Sequence, residues 1–203
     1  MPEHLIAGLR NFRRETFPRY REHYQRLVDE GQRPTTLFIG CSDSRIVPDL
    51  LMQTGPGELF IVRNMGGFVP PFEPDEGFHG TSAAIEFAVL TLGVTDIVVC
   101  AHSHCGAIRA LYDPPNPDTP HISRWLTLGQ EARLDGPPTP ETLRASERRS
   151  VAVQLERLLG YPPVRARVDD GTLSLHGWLY VLEEGQVLGL DIPTGAFLPV
   201  ADD

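Results

Sequence analysis

Short apolar runs, separated by polar and glycine-containing segments, recur along most of the chain after about residue 35. Several of them are rich in β-branched residues and contain few polar positions, which is typical of strands buried on both faces of a sheet. The runs that predict strands are 35–40, 58–63, 96–101, 172–175, 178–182 and 187–190. Because helical patterns alternate with the early runs, the sequence predicts an α/β fold with a mostly parallel sheet.

Apolar residues at helical spacing predict the elements between these strands. The first helical segment covers about residues 2–30, and Pro18 is expected to break or kink it. Thr81 or Ser82 is expected to cap a second helix, and the proline-rich stretch 113–120 is expected to be a loop. The predicted helices after the first are 81–92, 106–112, 121–134 and 140–159.

Potential metal ligands directly follow two of the predicted strands. Cys41 comes after the run 35–40, and His102 and Cys105 come after the run 96–101. If these strands are parallel neighbours, their carboxyl ends lie side by side, at the place where open α/β sheets bind ligands. Two thiolates and one imidazole suit zinc and leave its fourth tetrahedral position open, which is typical of a catalytic site.

Two charged residues follow Cys41 in the same loop. Asp43 and Arg45 could be a simple ion pair, but beside a metal their charge-assisted hydrogen bond would orient the carboxylate toward the ion. Cys100 lies inside an apolar run, so we expect it to be an ordinary core residue. His176 is expected to be a buried, hydrogen-bonded structural histidine.

Composition and charge limit the classes of function. A chain of 203 residues with 41% apolar content fits one domain, residues 1–203. The formal charge of -9 argues against a nucleic-acid or anionic-membrane partner. Because the sequence shows neither a secretory signal nor a long apolar span, we expect a soluble, cytoplasmic protein. An odd number of cysteines, three, favours thiolate ligation over a disulfide framework.

Taken together and in this order, the motifs resemble the β-class carbonic anhydrases. The segments that carry the resemblance are 41–45 (CSDSR), 56–60 (PGELF), 63–64 (RN), 80–89 (GTSAAIEFAV), 102–106 (HSHCG) and 175–178 (LHGW). The resemblance implies a zinc enzyme that interconverts carbon dioxide and bicarbonate, in which Asp43 is paired to Arg45. The ligands it implies are Cys41, His102 and Cys105.

The resemblance also implies a substrate pocket. Carbon dioxide would lie against the apolar side chains of Phe60, Met65 and Phe87. The N–H of Gly106, at a helix start, would stabilise charge on the substrate oxygen. Gln32 aligns with a glutamine that hydrogen-bonds the bound species in plant-type members and is a candidate to come from a partner subunit.

The same resemblance implies a sheet of about five strands flanked by helices, and a homodimer or a higher homo-oligomer. In it, an N-terminal helical arm, residues 1–30, packs on the partner subunit. Two alternatives stay open at this point. One is a carbon disulfide or carbonyl sulfide hydrolase on the same fold, and the other is a noncatalytic, zinc-stabilised binding protein.

Overall fold

Six strands form one sheet in the computed structural model, which describes residues 2–201. Their order is β2-β1-β3-β4-β5-β6, with parallel pairing among the first four and antiparallel pairing of β5 and β6. The strands are β1 (Thr36–Cys41), β2 (Leu59–Asn64), β3 (Asp96–His102), β4 (Ser174–Val181), β5 (Gln186–Asp191) and β6 (Ala196–Pro199). The predicted α/β fold with a mostly parallel sheet is therefore confirmed, with six strands where about five were expected.

The chain divides into two compact units between Arg33 and Pro34. The first unit is helical and contains α1 (Glu3–Asn11), a π-helical segment (Phe12–Thr16) and α2 (Phe17–Glu30). Pro18 lies in the first turn of α2, directly after the π-helical segment, so the predicted interruption of the helical run appears there. This unit covers the predicted helical arm, whose packing on a partner stays a prediction.

The second unit carries the sheet and the remaining helices. Its α-helices are α3 (Pro48–Met52), α4 (Gly80–Glu86), α5 (Gly106–Ala110), α6 (Pro120–Leu126), α7 (Pro140–Leu159) and α8 (Pro162–Asp169). A π-helical segment continues α4, and 3-10 segments follow β2 and α6. Within residues 2–201, no helix is both long enough and apolar enough to cross a membrane.

Several helix predictions need correction. The predicted helix 121–134 is divided into α6 and a 3-10 segment, and the helix predicted at 106–112 ends as α-helix at Ala110. The helix predicted from Thr81 already begins at Gly80, so neither Thr81 nor Ser82 is its cap residue. Helices α3 and α8 were not predicted, because each is short and contains too few turns to show a period.

Alternating side chains of the central strands pack on opposite faces of the sheet. Leu37 and Ile39 belong to the largest buried cluster, which includes Val151 and Leu155 of α7, whereas Phe38 lies in a separate cluster with Cys100. Helix α7 approaches β4 closely at Gly177, where a Cβ atom would lie 2.5 Å from Val151 Cγ1. The glycine therefore allows the helix to cover this face of the sheet.

The strand order creates a switch point between β1 and β3. From β1 the chain passes to β2 on one side of the sheet, and β3 lies on the other side. Open α/β sheets bind ligands in the crevice outside the carboxyl ends of two such strands. Gly40 pairs with Cys100 in the β1–β3 ladder, so Cys41 and His102 both lie at this edge.

Candidate metal centre

Cys41, His102 and Cys105 converge at the switch point, as their positions after β1 and β3 predicted. The two sulfur atoms and a ring nitrogen of the histidine all lie within 4.8 Å of one another. The residues are buried, with exposed fractions of 5%, 1% and 4%. Three soft or borderline ligand atoms this close, with little access for water, form a group that could hold a metal ion.

The ring of His102 is oriented for ligation. Its Nδ1 lies 2.8 Å from the carbonyl oxygen of Ser103, so Nδ1 carries the proton and donates it to that carbonyl. Its Nε2 is buried and has no hydrogen-bond partner among the described residues. A buried lone pair without a donor is costly in a protein interior, and a metal ion would satisfy it.

The pKa values of Cys41 and Cys105 are shifted in opposite directions. The Cys105 thiol donates to the Cys41 sulfur, and this bond holds the pKa of Cys41 well below its usual range. The same bond, together with burial, raises the pKa of Cys105. The Cys41 sulfur also accepts backbone N–H groups from Asp43 at 3.4 Å and from Gly66 at 3.3 Å. The site therefore already stabilises one thiolate.

Asp43 and Arg45 form a bidentate ion pair beside the three ligands. Arg45 Nε lies 2.9 Å from Asp43 Oδ1, and Arg45 Nη2 lies 2.7 Å from Asp43 Oδ2. These bonds lower the pKa of the Asp43 carboxyl far below its usual value. Asp43 Oδ2 is also 4.0 Å from His102 Nε2. An ionised carboxylate thus lies next to the ligand atoms, oriented by the arginine.

Two arginines fix the backbone around the ligands. Arg45 Nη2 donates to the carbonyl of His104 at 3.0 Å, which ties the loop after β3 to the loop after β1. Arg63 of β2 donates to the carbonyls of Cys41 at 2.9 Å and Asp43 at 2.7 Å. This clamp by Arg63 was not predicted, because only the register of β2 beside β1 brings the two segments together.

A buried carboxylate accepts a hydrogen bond from the backbone of Cys105. Glu147 of α7 is 2% exposed, and its Oε1 accepts the N–H of Cys105 at 3.0 Å. Its Oε2 lies 3.1 Å from Arg144 Nε, and burial raises the pKa of Glu147. Glu147 was missed, although a signal existed. It lies four residues from Leu143 and from Val151, so the sequence shows an acid within the apolar stripe of α7.

Arg144 extends this support to a second carboxylate. Its Nη2 lies 2.7 Å from Glu183, which also accepts the hydroxyl of Ser103 at 2.7 Å. The bond from Ser103, then that from the backbone N–H of Glu183 itself and that from Arg144, lower the pKa of Glu183 to about 2. The exposed ring of His104 is 3.3 Å from the same carboxylate. This network, too, was not visible in the sequence, because its members come from separate elements.

The predicted substrate residues are only partly brought to this site. Met65 packs in the cluster that contains Cys41, and exposed Gly106 is the first residue of α5. The rings of Phe60 and Phe87 contact each other at 5.8 Å between centroids.

However, Phe60 pairs with Leu37, four residues before Cys41 in β1. That offset corresponds to roughly 13 Å along a strand. Within one chain, Phe60 and its neighbour Phe87 therefore do not lie beside the metal centre, and their role in the substrate pocket stays a prediction. Gln32 lies in the first compact unit, and its role stays a prediction.

The prediction for His176 was half right. Its Nε2 is hydrogen-bonded to Asp96 Oδ1 at 2.8 Å, as expected for a structural histidine. Its side chain is 41% exposed, however, so it is not buried. The reason is that His176 lies near the start of β4, whereas the metal centre lies at the other, carboxyl end of the parallel strands.

Known proteins are similar to this chain in fold and sequence. A family model described as carbonic anhydrase matches residues 36–187. The carbonic anhydrase of Pseudomonas aeruginosa is 40% identical over 204 residues, which cover 98% of this chain and 91% of that protein. The solved β-carbonic anhydrase CcaA has a TM-score of 0.89 at 36% identity and covers 97% of this chain and 98% of its own.

A second solved structure comes from work on two tetrameric β-carbonic anhydrases of Sordaria macrospora. It has a TM-score of 0.74 at 26% identity and covers 93% of each chain. Together with the family match over most of the second unit, these similarities identify the chain. It belongs to the β-class carbonic anhydrases.

Proposed function

We propose that this protein catalyses the reversible hydration of carbon dioxide to bicarbonate and a proton, using zinc held by Cys41, His102 and Cys105. One observation carries the proposal. A buried imidazole nitrogen without a partner meets two cysteine sulfurs at the switch point of the sheet, beside the Asp43–Arg45 pair. Membership in the β-class carbonic anhydrases assigns the reaction.

The donor set fits zinc better than a harder ion. Two thiolates and one imidazole are ligands that zinc prefers, and within the described residues the group contains three ligands and no fourth. Zinc bound there supplies a Lewis acid that lowers the pKa of water and so provides a nucleophile near neutral pH.

The role of Asp43 follows from its ionisation. Arg45 keeps the carboxylate charged, so Asp43 accepts hydrogen bonds and donates none. It can therefore accept a hydrogen bond from the attacking water and so keep an oxygen lone pair of that water directed at carbon dioxide. The N–H of Gly106 is the candidate donor to the substrate oxygen, and Met65 provides apolar surface next to Cys41.

We also infer a homodimer or a higher homo-oligomer in which the arm, residues 1–30, packs on the partner. Apolar side chains of the arm support this, since Leu5 is 57% and Leu9 is 68% exposed. The Phe60–Phe87 pair gives a second argument. Because it lies too far along the strand to serve its own centre, we infer that it completes the pocket of a partner, as does Gln32. We also propose that the protein is cytoplasmic, as the sequence predicts.

A paired assay tests the proposed reaction. Stopped-flow measurement of carbon dioxide hydration is compared with sulfide release from carbonyl sulfide and carbon disulfide, using the same preparation. We expect rapid hydration that disappears on chelation and returns with zinc, and little sulfide release. Sulfide release without hydration would assign the alternative hydrolase function. Zinc binding without either activity would favour a noncatalytic binding protein.

A further inference from the structure

One peptide unit connects Trp125 to the sulfur of Cys41. The indole Nε1 of Trp125 donates to the carbonyl oxygen of Met65 at 2.7 Å. The next N–H along the chain, that of Gly66, donates to Cys41 Sγ at 3.3 Å. These two groups belong to the same planar peptide and point in opposite directions from it. The indole and the sulfur therefore hold the same peptide from its two sides.

The local backbone restricts residue 66 to glycine. Gly66 has a φ of +82°, which favours glycine, and a Cβ atom there would lie 2.6 Å from Cζ of Phe68. Both Gly66 and Phe68 are buried. The peptide is thus enclosed, and its orientation depends on the hydrogen bonds that it makes.

We propose that Trp125 is a positioning residue that, through the Met65–Gly66 peptide, limits how strongly the Cys41 thiolate donates electrons to the metal. The inference rests on the proposed zinc centre. A hydrogen bond to a thiolate ligand withdraws electron density from sulfur and tunes the bound metal. A second bond at the carbonyl of the same peptide polarises it and strengthens its N–H as a donor, by about 10–30%.

The direction of the effect follows from this argument. Without the indole N–H, the Gly66 N–H bonds the sulfur less strongly, and the thiolate donates more charge. A metal that receives more charge is a weaker Lewis acid, so activity should need a higher pH. Removing an outer partner of a metal ligand typically costs 10- to 100-fold in affinity or activity, and here we expect about tenfold or less at neutral pH because the indole acts through a peptide.

Cobalt provides a readout other than activity. In cobalt(II)-loaded protein, charge transfer from sulfur to metal gives an absorption band whose energy reports thiolate donation. The chain contains two tryptophans. The indole N–H of Trp178 makes no hydrogen bond to any described residue, so replacing Trp178 removes no such bond. Trp125→Phe is therefore compared with Trp178→Phe. This control replaces the same indole ring at a position that does not contact the candidate ligands.

An isosteric variant guards against a packing effect. In the Trp178→Phe background, replacing tryptophan by β-(benzothienyl)alanine alters residue 125 alone, exchanging its N–H for sulfur while keeping the ring shape. We expect the cobalt band to move to longer wavelength and the pH midpoint of hydration to rise, both in Trp125→Phe and in the isostere. Trp178→Phe should leave both unchanged.

The outcomes separate this inference from the proposed function. A band that does not move in the isostere would overturn the role of Trp125 alone, even if activity fell, because the loss would then come from packing. Absence of any thiolate band in the unaltered cobalt protein would overturn the metal centre and the inference with it.

Discussion

Cys41 and Cys100 lie on adjacent strands of one sheet, and their surroundings differ far more than their exposure. Their exposed fractions are 5% and 2%. Cys100 is inside β3, packed with Phe38 and Val98, and burial raises its pKa to about 12. Cys41 ends β1, and there the Cys105 thiol and backbone N–H groups hold its pKa well below its usual range.

This contrast shows that burial alone does not decide the chemistry of a cysteine. Inside a strand, most backbone N–H groups are used by the neighbouring strands, so the Cys100 sulfur is surrounded mainly by apolar side chains. At the strand end the backbone leaves the ladder, and the N–H groups of Asp43 and Gly66 become available to sulfur. The group that could hold a metal ion, with the low-pKa Cys41, therefore lies at the carboxyl ends of the strands and not one residue further in.

The largest expected effect tests the contrast between Cys41 and Cys100 directly. Cys41→Ser and Cys105→Ser should each lose zinc and nearly all hydration activity, because a hydroxyl is a far poorer zinc ligand than a thiolate. Metal analysis and stopped-flow hydration measure both effects. Cys100→Ser is the matched control and should keep its zinc. Full zinc content and an unchanged rate in Cys41→Ser would show that Cys41 is not a ligand.

The next effect concerns the carboxylate beside the ligands. Asp43→Asn should keep zinc but lower the hydration rate by about 100-fold, the scale for loss of a group that orients the attacking water. Asp113→Asn serves as the control, since Asp113 forms an exposed pair with Arg109 at 3.2 Å without contacting the ligands. Equal rates for the two variants would remove Asp43 from the mechanism.

Metal affinity should also depend on pH in a defined direction. Binding requires both thiolates, and the raised pKa of Cys105 means that its proton must leave when the metal enters. Zinc affinity should therefore fall as pH falls, by about tenfold per pH unit for this one proton. Calorimetric titration between pH 6 and pH 8, in buffers of different ionisation enthalpy, measures the released proton. An affinity that stays constant over this range would contradict a protonated Cys105.

The smallest effect concerns the interior cysteine. Cys100→Ser should lower the free energy of unfolding by about 1–2 kcal/mol, since a buried hydroxyl costs more than a thiol unless it is bonded. The nearby carbonyl of Ala101, 3.5 Å from the sulfur, can accept that hydroxyl and limit the cost. Urea unfolding of the zinc-loaded protein measures the difference. A loss above about 4 kcal/mol would mean that Cys100 has a structural role beyond apolar packing.

The place of the candidate ligands could be predicted because they follow apolar runs that fix their position in the sheet. Cys41 and His102 needed only the assumption that β1 and β3 are parallel neighbours, which the structure confirms. The strand β6 was missed because four residues ending in a proline give a weak pattern.

The residues that support these candidate ligands were not predicted, although the acid in the apolar stripe of α7 was a signal for Glu147. Arg63, Glu147 and Trp125 reach the site from β2, α7 and α6, and only the folded chain brings them to the two loops. The Phe60–Phe87 pair shows the same limit, and its place in the substrate pocket stays a prediction. A pocket predicted from family resemblance has members that one chain does not bring to its own metal centre.

The most direct test of the account is carbon dioxide hydration by stopped flow, measured on one preparation before chelation, after chelation and after return of zinc. We predict about one zinc per chain at the start, loss of the metal-dependent rate with the metal, and full recovery on reloading. A hydration rate that is unaffected by complete removal of the metal would contradict the proposal that Cys41, His102 and Cys105 hold a catalytic zinc ion.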